Sequence, residues 1–262
     1  MLPAARHQAI VDAVQRERVV RVSDLAQQLG VSLMTVRRDI EQLEEGGKLE
    51  RIHGGAKLPG DASAYEPGFE QKSTQLTAEK RAIAVEAAGL VQEGMAVGLS
   101  AGTTTWALAK ELAGGPRITV VTNSVRIADL FHHAASSGSA RYASTVILIG
   151  GERTPSDALV GPIATGALKQ LHLDILFLGV HGMDAQAGFT TPNLLEAETD
   201  RAFVAAARRT VVLADHTKWG MLGISSIAAL DDVDEVISDA GLGADARRIL
   251  GETTKLRVVV PA

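Results

Sequence analysis

The sequence contains no cysteine among its 262 residues. This absence excludes disulfide bonds, zinc sites built on thiolates and a cysteine nucleophile. No apolar run approaches the roughly 20 residues that a helix needs to cross a bilayer, and the first residues lack the basic and apolar stretches of a signal peptide. We therefore expect a cytoplasmic protein without membrane contact. With 46% hydrophobic residues and this length, one small and one larger domain are expected.

A strong excess of positive charge is also missing, because the formal net charge is -5. The charge is unevenly distributed: residues 1–57 carry nine Lys or Arg against eight Asp or Glu, whereas the rest of the chain carries 17 against 23. The acidic excess therefore lies in the second part. This distribution permits nucleic-acid binding by the first part but does not establish it.

The first part predicts three helices in succession. Apolar residues on one side of residues 4–16 indicate an amphipathic helix. A second helix is predicted to begin with Ser23 as its cap and to end at Gly30, a residue suited to the left-handed turn that closes a helix. Ser32 is predicted to cap the third helix, which ends at Gly46.

The third helix is the candidate for reading DNA. Val36, Ile40 and Leu43 form an inward apolar stripe, so the outward residues of its N-terminal half can enter a major groove. Arginine reaches guanine edges with two hydrogen bonds, and serine or threonine can donate to phosphate oxygens. A predicted hairpin over residues 48–58 would add basic residues as a wing. The predicted DNA-binding residues are Ser32, Met34, Thr35, Arg37, Arg38, Arg51, His53 and Lys57.

Taken alone, two neighbouring arginines are more typical of a solvated surface on a small helical packing module. The succession of capped helix, glycine turn, second capped helix and basic hairpin favours DNA binding. A winged helix that serves only as a protein-interaction module stays open. Such a module would show no salt-dependent affinity for DNA.

The second part predicts a larger α/β domain. Residues 58–75 are rich in Pro, Gly, Ser and Ala and are predicted to be a linker between domains over residues 1–57 and 76–262. Beyond the linker, unbroken runs of Val, Ile and Leu alternate with helical patterns, which predicts a mainly parallel sheet buried by helices on both faces. The predicted strands are residues 95–99, 118–121, 146–149, 175–180, 211–214, 233–237 and 256–260.

Polar loops follow several of these strands. Residues 100–105 follow a strand and open a helix near Trp106, where free backbone N–H groups and the helix dipole favour a phosphate. Polar residues at 122–124, 150–151 and 215–218 also follow strands. Loops at the carboxyl ends of parallel strands form a ligand crevice, so we expect these four to converge. Each loop taken singly could instead be a plain turn.

Residues 31–40, together with residues 51–56, resemble the signature of the DeoR family of bacterial repressors. The resemblance continues through the second domain. It implies a winged helix-turn-helix that binds operator DNA and an effector domain similar in fold to ribose-5-phosphate isomerase that binds phosphorylated sugars. In that family position 33 is often acidic or polar, whereas this chain has Leu33.

The resemblance also implies roles for residues of the polar loops. The phosphate would be held by Gly102, Thr103, Thr104 and Thr105, with Asn123 and Ser124 completing that end. Lys218 would supply a cation near the effector, and Asp184 and Glu196 would contact sugar hydroxyls. Gly151 and Asp215 belong to the other converging loops.

An active sugar-phosphate isomerase is the main alternative function. Such an enzyme needs a base, commonly a carboxylate, to move a proton between adjacent carbons. The isomerase pattern places acidic residues directly after the equivalent strand, whereas residues 177–184 here offer only Asp184. His181 is interpreted as a turn residue, because no second metal ligand lies at metal spacing.

The prediction is therefore a repressor of carbohydrate-metabolism genes that acts as a dimer or tetramer. A phosphorylated sugar would release it from its operator. An activator, or a repressor that needs its ligand as corepressor, stays open. No catalytic residues, cofactor or metal are expected.

Overall fold

The computed structural model describes residues 3–17, 19–52, 54–57, 68–136 and 144–261. It divides into two compact units, residues 1–65 and residues 66–262. The first unit contains three helices and a small antiparallel sheet in the strand order β1-β3-β2. Its elements are α1 (Pro3–Glu17), β1 (Val19–Arg21), α2 (Val22–Leu29), α3 (Leu33–Glu45), β2 (Glu50–Ile52) and β3 (Gly55–Lys57).

The three predicted helices of this unit are confirmed, with one error in capping. Ser32 caps α3 as predicted, since its hydroxyl accepts a hydrogen bond from the Thr35 backbone N–H at 3.1 Å. Gly30 closes α2 in the left-handed region, with φ 64°. The prediction that Ser23 caps α2 is wrong, because the helix begins one residue earlier and the Ser23 hydroxyl donates to the Asp24 carboxylate instead.

The inward face of α3 holds the first unit together. Val36, Ile40 and Leu43 are at most 3% exposed and lie in one apolar cluster with residues of α1 and α2. Asp39 adds a buried polar contact that the sequence pattern did not reveal. Its carboxylate accepts hydrogen bonds from the Arg6 guanidinium, at 2.9 Å for Nη2, and lies 3.0 Å from the ring of His7. The Arg6 hydrogen bond holds the pKa of Asp39 below its usual value, so an ionised carboxylate links α3 to α1.

The second unit is built on a seven-stranded sheet in which every neighbouring pair is parallel. The strand order is β15-β14-β12-β9-β4-β5-β6. These strands are β4 (Ala96–Leu99), β5 (Thr119–Thr122), β6 (Thr145–Leu148), β9 (Ile175–Gly179), β12 (Thr210–Leu213), β14 (Glu235–Asp239) and β15 (Lys255–Val259). The main helices are α5 (Thr77–Ala88), α6 (Thr103–Leu112), α7 (Val125–Ser136), α8 (Pro162–Leu168), α9 (Leu194–Ala206) and α10 (Ala244–Thr253).

Both faces of this sheet are buried, as the unbroken apolar runs predicted. Along β9, Leu176 and Leu178 point into one apolar cluster, whereas Ile175 and Phe177 point into the other. All four side chains are at most 2% exposed. Alternate residues of one strand thus supply two separate cores, which is why the strand sequence shows no polar alternation.

Smaller elements that were not predicted surround the carboxyl end of the sheet. A two-stranded hairpin and a three-stranded antiparallel sheet in the order β10-β11-β13 lie in the second unit. Their strands are β7 (Glu152–Arg153), β8 (Leu159–Val160), β10 (Gly182–Asp184), β11 (Gly188–Thr191) and β13 (Ser225–Ala228). Strands of two to four residues are too short for an alternating pattern to identify.

The prediction of a linker over residues 58–75 is wrong for its second half. A short helix, α4 (Phe69–Ser73), lies there and belongs to the second unit. Phe69 is 5% exposed, and its ring meets that of Trp106 edge-to-face with 5.5 Å between centroids. This buried aromatic contact fixes a segment whose composition is typical of a loop. Residues 58–67 lie outside the described residues.

We expect Ile40→Ala to destabilise the first unit by about 2–5 kcal/mol, because it leaves a cavity in the core of a small domain. Hydrogen exchange of the full chain, followed by peptide mass spectrometry, measures each unit separately. Peptides of the first unit should exchange much faster, and those of the second unit should be unchanged. Met34→Ala is the matched control, since Met34 is 70% exposed. Wild-type protection in Ile40→Ala would contradict this assignment of the core.

Candidate functional site

The outer face of α3 is the candidate DNA-contact surface of the first unit. Met34, Arg37 and Arg38 are all exposed, and the two arginines lie three and four positions after Met34, so each is its neighbour on the outer face of the helix. Ser32 and Thr35 stand at the start of the same helix, with their hydroxyl oxygens 2.8 Å apart. The structure therefore brings these five predicted residues to the N-terminal half of one exposed helix.

The hairpin beside α3 carries the remaining predicted DNA-binding residues. Arg51 is on β2, and its guanidinium Nη1 lies 2.9 Å from the Glu41 carboxylate of α3. An exposed pair of this kind exchanges partners easily, so Arg51 remains available to a phosphate. His53 lies outside the described residues, and for Lys57 only the backbone, in β3, is described.

The second unit contains a cleft at the carboxyl ends of its parallel strands. It holds about 570 Å³ of space, part of it open to solvent. Five predicted effector-binding residues line it together: Gly102, Thr103, Thr104, Glu196 and Lys218. The strands β4 and β12, the small-sheet strand β11 and helix α9 bring these residues to one place. Of the four predicted loops, those after β4 and β12 contribute to this lining.

The N-terminus of α6 forms one wall of the cleft. The helix begins at Thr103, three residues earlier than predicted, with Gly102 as its N-cap. The first N–H groups of a helix have no intrahelical partner, and here they belong to residues that line the cleft. The Ser100 hydroxyl accepts a hydrogen bond from the Gly179 N–H at 2.9 Å, which fixes the loop to the neighbouring strand.

Three predicted phosphate-binding residues lie outside the cleft lining. Asn123 is fully buried; its side-chain oxygen accepts from the Ala101 N–H at 2.8 Å. The Thr105 hydroxyl donates to the Gly102 carbonyl oxygen at 3.0 Å. Ser124 is buried at the start of α7, where its hydroxyl accepts from the Ile127 N–H. These side chains are engaged in local hydrogen bonds and do not line the cleft.

Three further predicted residues also lie outside the cleft lining. Asp184 accepts hydrogen bonds from the N–H groups of two following residues in a turn. Asp215 is buried and caps the short 3₁₀ helix His216–Lys218. Gly151 approaches β8 so closely that a Cβ there would lie 2.4 Å from the Val160 carbonyl oxygen. In each of these three cases the local geometry explains why this type of residue is present.

The acidic part of the cleft lies on α9. The Glu196 carboxylate accepts hydrogen bonds from Thr191 at 2.6 Å and from Ser156 at 3.3 Å. Asp200, one turn further along α9, is 4% exposed. Burial, followed by the charge of Glu196, raises the pKa of Asp200 well above its ordinary value. Asp200, Thr191 and Ser156 line the cleft but were not among the predicted residues.

The basic part of the cleft comes from two lysines on different elements. Lys218 belongs to the 3₁₀ helix, which is held by a contact of 2.8 Å between the His216 ring and Asp239. Lys72 comes from α4, inside the predicted linker, and sequence patterns gave no indication of it. His181, which lies between β9 and β10 in the chain, also lines the cleft. Burial, with the charges of Lys218 and Lys72, lowers the pKa of His181 to about 3.

The electrostatics of this basic part favour an anion. A neutral imidazole at His181 can donate or accept a hydrogen bond without adding charge. The two lysines are close enough to His181 to affect its protonation, so both contribute positive potential to the cleft. Among the described residues no group of three or more potential metal ligands is found, and none of their helices is long and apolar enough to span a membrane.

Comparison with known proteins agrees with both halves of this description. The family model described as the DeoR C terminal sensor domain matches residues 75–240, and that described as the DeoR-like helix-turn-helix domain matches residues 6–61. The HTH-type transcriptional regulator GlpR of Haloferax volcanii is 38% identical over 94% of this chain and 94% of its own length. The glycerol-3-phosphate regulon repressor of Escherichia coli is 30% identical over 92% of each chain.

Among solved structures, ribose 5-phosphate isomerase A of Methanocaldococcus jannaschii covers 53% of this chain and 53% of its own, at 18% identity and a TM-score of 0.38. That match is too distant to bear on activity. The two family models and the curated relatives together span nearly the whole sequence. The chain belongs to the DeoR family of transcriptional regulators.

Proposed function

We propose that this regulator is a repressor that leaves its operator when a phosphorylated sugar fills the cleft of the second unit. The observation that carries the proposal is the lining of that cleft. A helix N-terminus and two lysines stand in the same cavity as hydrogen-bonded carboxyl and hydroxyl groups. A sugar phosphate offers the complementary groups, a dianion and several hydroxyls.

The phosphate would lie against the start of α6. Backbone N–H groups at Gly102 and Thr103, together with the hydroxyl of Thr104, can donate to phosphate oxygens, and the helix dipole favours negative charge there. Lys218 would add a charge-assisted hydrogen bond. Glu196 and Thr191, which already form a hydrogen-bonded pair, would contact the sugar hydroxyls.

The first unit would bind operator DNA through α3 in the major groove. Arg37 and Arg38 would reach base edges or phosphates, and Ser32 would donate to the backbone. The repressor would act as a dimer or tetramer on a pseudo-symmetric operator, which is how helix-turn-helix proteins gain enough contacts. Operator sequences can be selected from genomic fragments that the full-length protein retains.

Binding without turnover is favoured over isomerisation. Asp184, the carboxylate nearest in sequence to the isomerase pattern, accepts hydrogen bonds within a turn and does not line the cleft. Glu196 is the remaining alternative base, since it faces the cavity. Incubation with ribose 5-phosphate and hexose phosphates, followed by product analysis, tests this alternative directly.

Arg38→Ala and Arg37→Ala should each weaken operator binding, because both side chains project from the exposed face of α3. Loss of a base contact should cost about 1–3 kcal/mol and relax specificity, whereas loss of a phosphate contact should lower the salt slope by about 1. Binding is measured by fluorescence anisotropy over a salt series. Arg81→Ala, an exposed change in the second unit, is the control. Wild-type affinity and salt slope in both variants would exclude α3 as the reading helix.

The full-length protein should bind a phosphorylated sugar far more tightly than the free sugar. Isothermal titration calorimetry with glycerol 3-phosphate, fructose 1-phosphate, fructose 6-phosphate and ribose 5-phosphate, each beside its unphosphorylated form, measures the difference. A free sugar carries no negative charge that the α6 N-terminus and the lysines could bind. Equal affinities within each pair would refute the phosphate site.

Thr104→Val should reduce affinity for the phosphate ester about tenfold or more, because one hydrogen bond to a charged group contributes about 1.5–3 kcal/mol. Operator affinity without ester should remain unchanged, since the DNA contacts lie in the other unit. Thr165→Val is the matched control at the start of α8, where the hydroxyl only donates to a backbone carbonyl. An unchanged ester response in Thr104→Val would place the phosphate elsewhere.

A further inference from the structure

The helix α4 connects the cleft to the chain that comes from the first unit. It is the first element after residues 58–67, and it carries Lys72 into the lining of the cleft. The charge of Lys72 helps to lower the pKa of His181, a residue that comes much later in the chain, after β9. A five-residue helix has little stability of its own, so its position depends on its contacts.

Two of these contacts fix α4 to the helix that would hold the phosphate and to α5. The Phe69 ring packs edge-to-face on Trp106, in the first turns of α6. Lys80 of α5 is 6% exposed, and its ammonium donates to the carbonyl oxygens of Lys72 and Gln75 at 2.6 and 2.7 Å. The backbone around Lys72 is therefore held by a buried cation from the second unit.

A third contact is made by Arg126 of α7, which joins two walls of the cleft. Its Nη2 lies 2.6 Å from the Glu70 carboxylate of α4, and its guanidinium lies 5.0 Å from the centre of the Phe69 ring. Its Nε donates to the Asp157 carboxylate at 2.7 Å. Asp157 follows Ser156, which lines the cleft, and has the unusual φ of 62°.

One arginine thus links the helix that carries Lys72 to the loop that carries Ser156. The binding of an anion at Lys72 would therefore depend on the positions of both α4 and the loop with Ser156. A shift of α4 would also move the point at which the preceding chain is attached. Such a shift can alter DNA binding only if the anion favours one position of α4 over another. An anion that contacts the Lys72 side chain binds more tightly in the position of α4 that allows this contact. The contact therefore provides the difference in affinity.

We propose that Lys72 binds the anionic group of the effector and that α4, fixed through Glu70 and Arg126, passes this binding to the chain leading to the DNA-binding unit. The inference rests on the function proposed above. It assigns an effector-binding residue and a coupling element to a segment that composition alone marks as a linker.

Four variants of the full-length protein separate these two roles. Lys72→Met removes the charge at similar length. Glu70→Gln removes only the ion pair between α4 and Arg126, and Glu70 is largely exposed, so this variant is expected to fold. Arg126→Gln removes both sides. Arg153→Gln is the matched control, because Arg153 also pairs with Asp157, at 2.6 Å, but makes no ion pair with α4.

Calorimetry with inorganic phosphate measures binding, and anisotropy with selected operator DNA, with and without the tightest-binding ester of the panel above, measures coupling. Lys72→Met should lower phosphate affinity about tenfold or more. Glu70→Gln and Arg126→Gln should bind phosphate within about threefold of wild type and bind operator normally. In both, the ester should change operator affinity at least about fivefold less than in wild type. Arg153→Gln should match wild type throughout.

A different result would overturn each of the two claims, the binding role of Lys72 and the coupling role of α4. Wild-type phosphate affinity in Lys72→Met would overturn its assignment as a binding residue. Wild-type coupling in both Glu70→Gln and Arg126→Gln would overturn the role of α4 while leaving the proposed function intact. If the wild-type protein itself binds neither inorganic phosphate nor any ester, the proposed function and this inference both fail.

Discussion

Parallel pairing of β4, β9 and β12 brings the carboxyl ends of these strands to one edge of the sheet, and the cleft depends on this alignment. The loop after β4 supplies the start of α6, and the chain after β9 supplies His181. The chain after β12 supplies Lys218. A shift of one residue in any pair would move the strand's apolar side chains from one core into the other, where the neighbouring side chains are packed against different shapes. The two cores therefore fix the register, and the register in turn fixes where the polar loops meet.

The cleft wall is held by buried polar groups that do not face the cavity. Asn123 bonds to the Ala101 N–H, and it also donates to the Leu159 carbonyl oxygen at 3.2 Å. One amide thereby ties the α6 loop to the hairpin that bears Ser156. A buried amide that lost either partner would be costly, since an unpaired buried group costs about 1–3 kcal/mol. The geometry of the cleft wall is thus fixed by hydrogen bonds within the fold.

Sequence patterns predicted the large sheet, because strands buried on both faces leave continuous apolar runs. They also predicted the polar loops at the strand ends, but not which side chains turn inward. Thr104 faces the cleft, whereas its neighbour Thr105 bonds back to Gly102. Lys72 was missed because a single helical turn has no periodicity to recognise. Asp200 was missed because its raised pKa depends on burial, and burial cannot be read from one residue of the sequence.

The near neutrality of the first unit bears on how such a regulator could be switched. Beyond its N-terminal half, α3 is acidic at Glu41, Glu44 and Glu45. Few phosphates can then be neutralised, and affinity for DNA of arbitrary sequence rises with that number. Weak general attraction leaves operator binding dependent on a few contacts at the start of α3. Coupling energies between sites of about 1–3 kcal/mol change affinity about 5- to 150-fold. That range is comparable to the loss of one base contact, which costs about 1–3 kcal/mol.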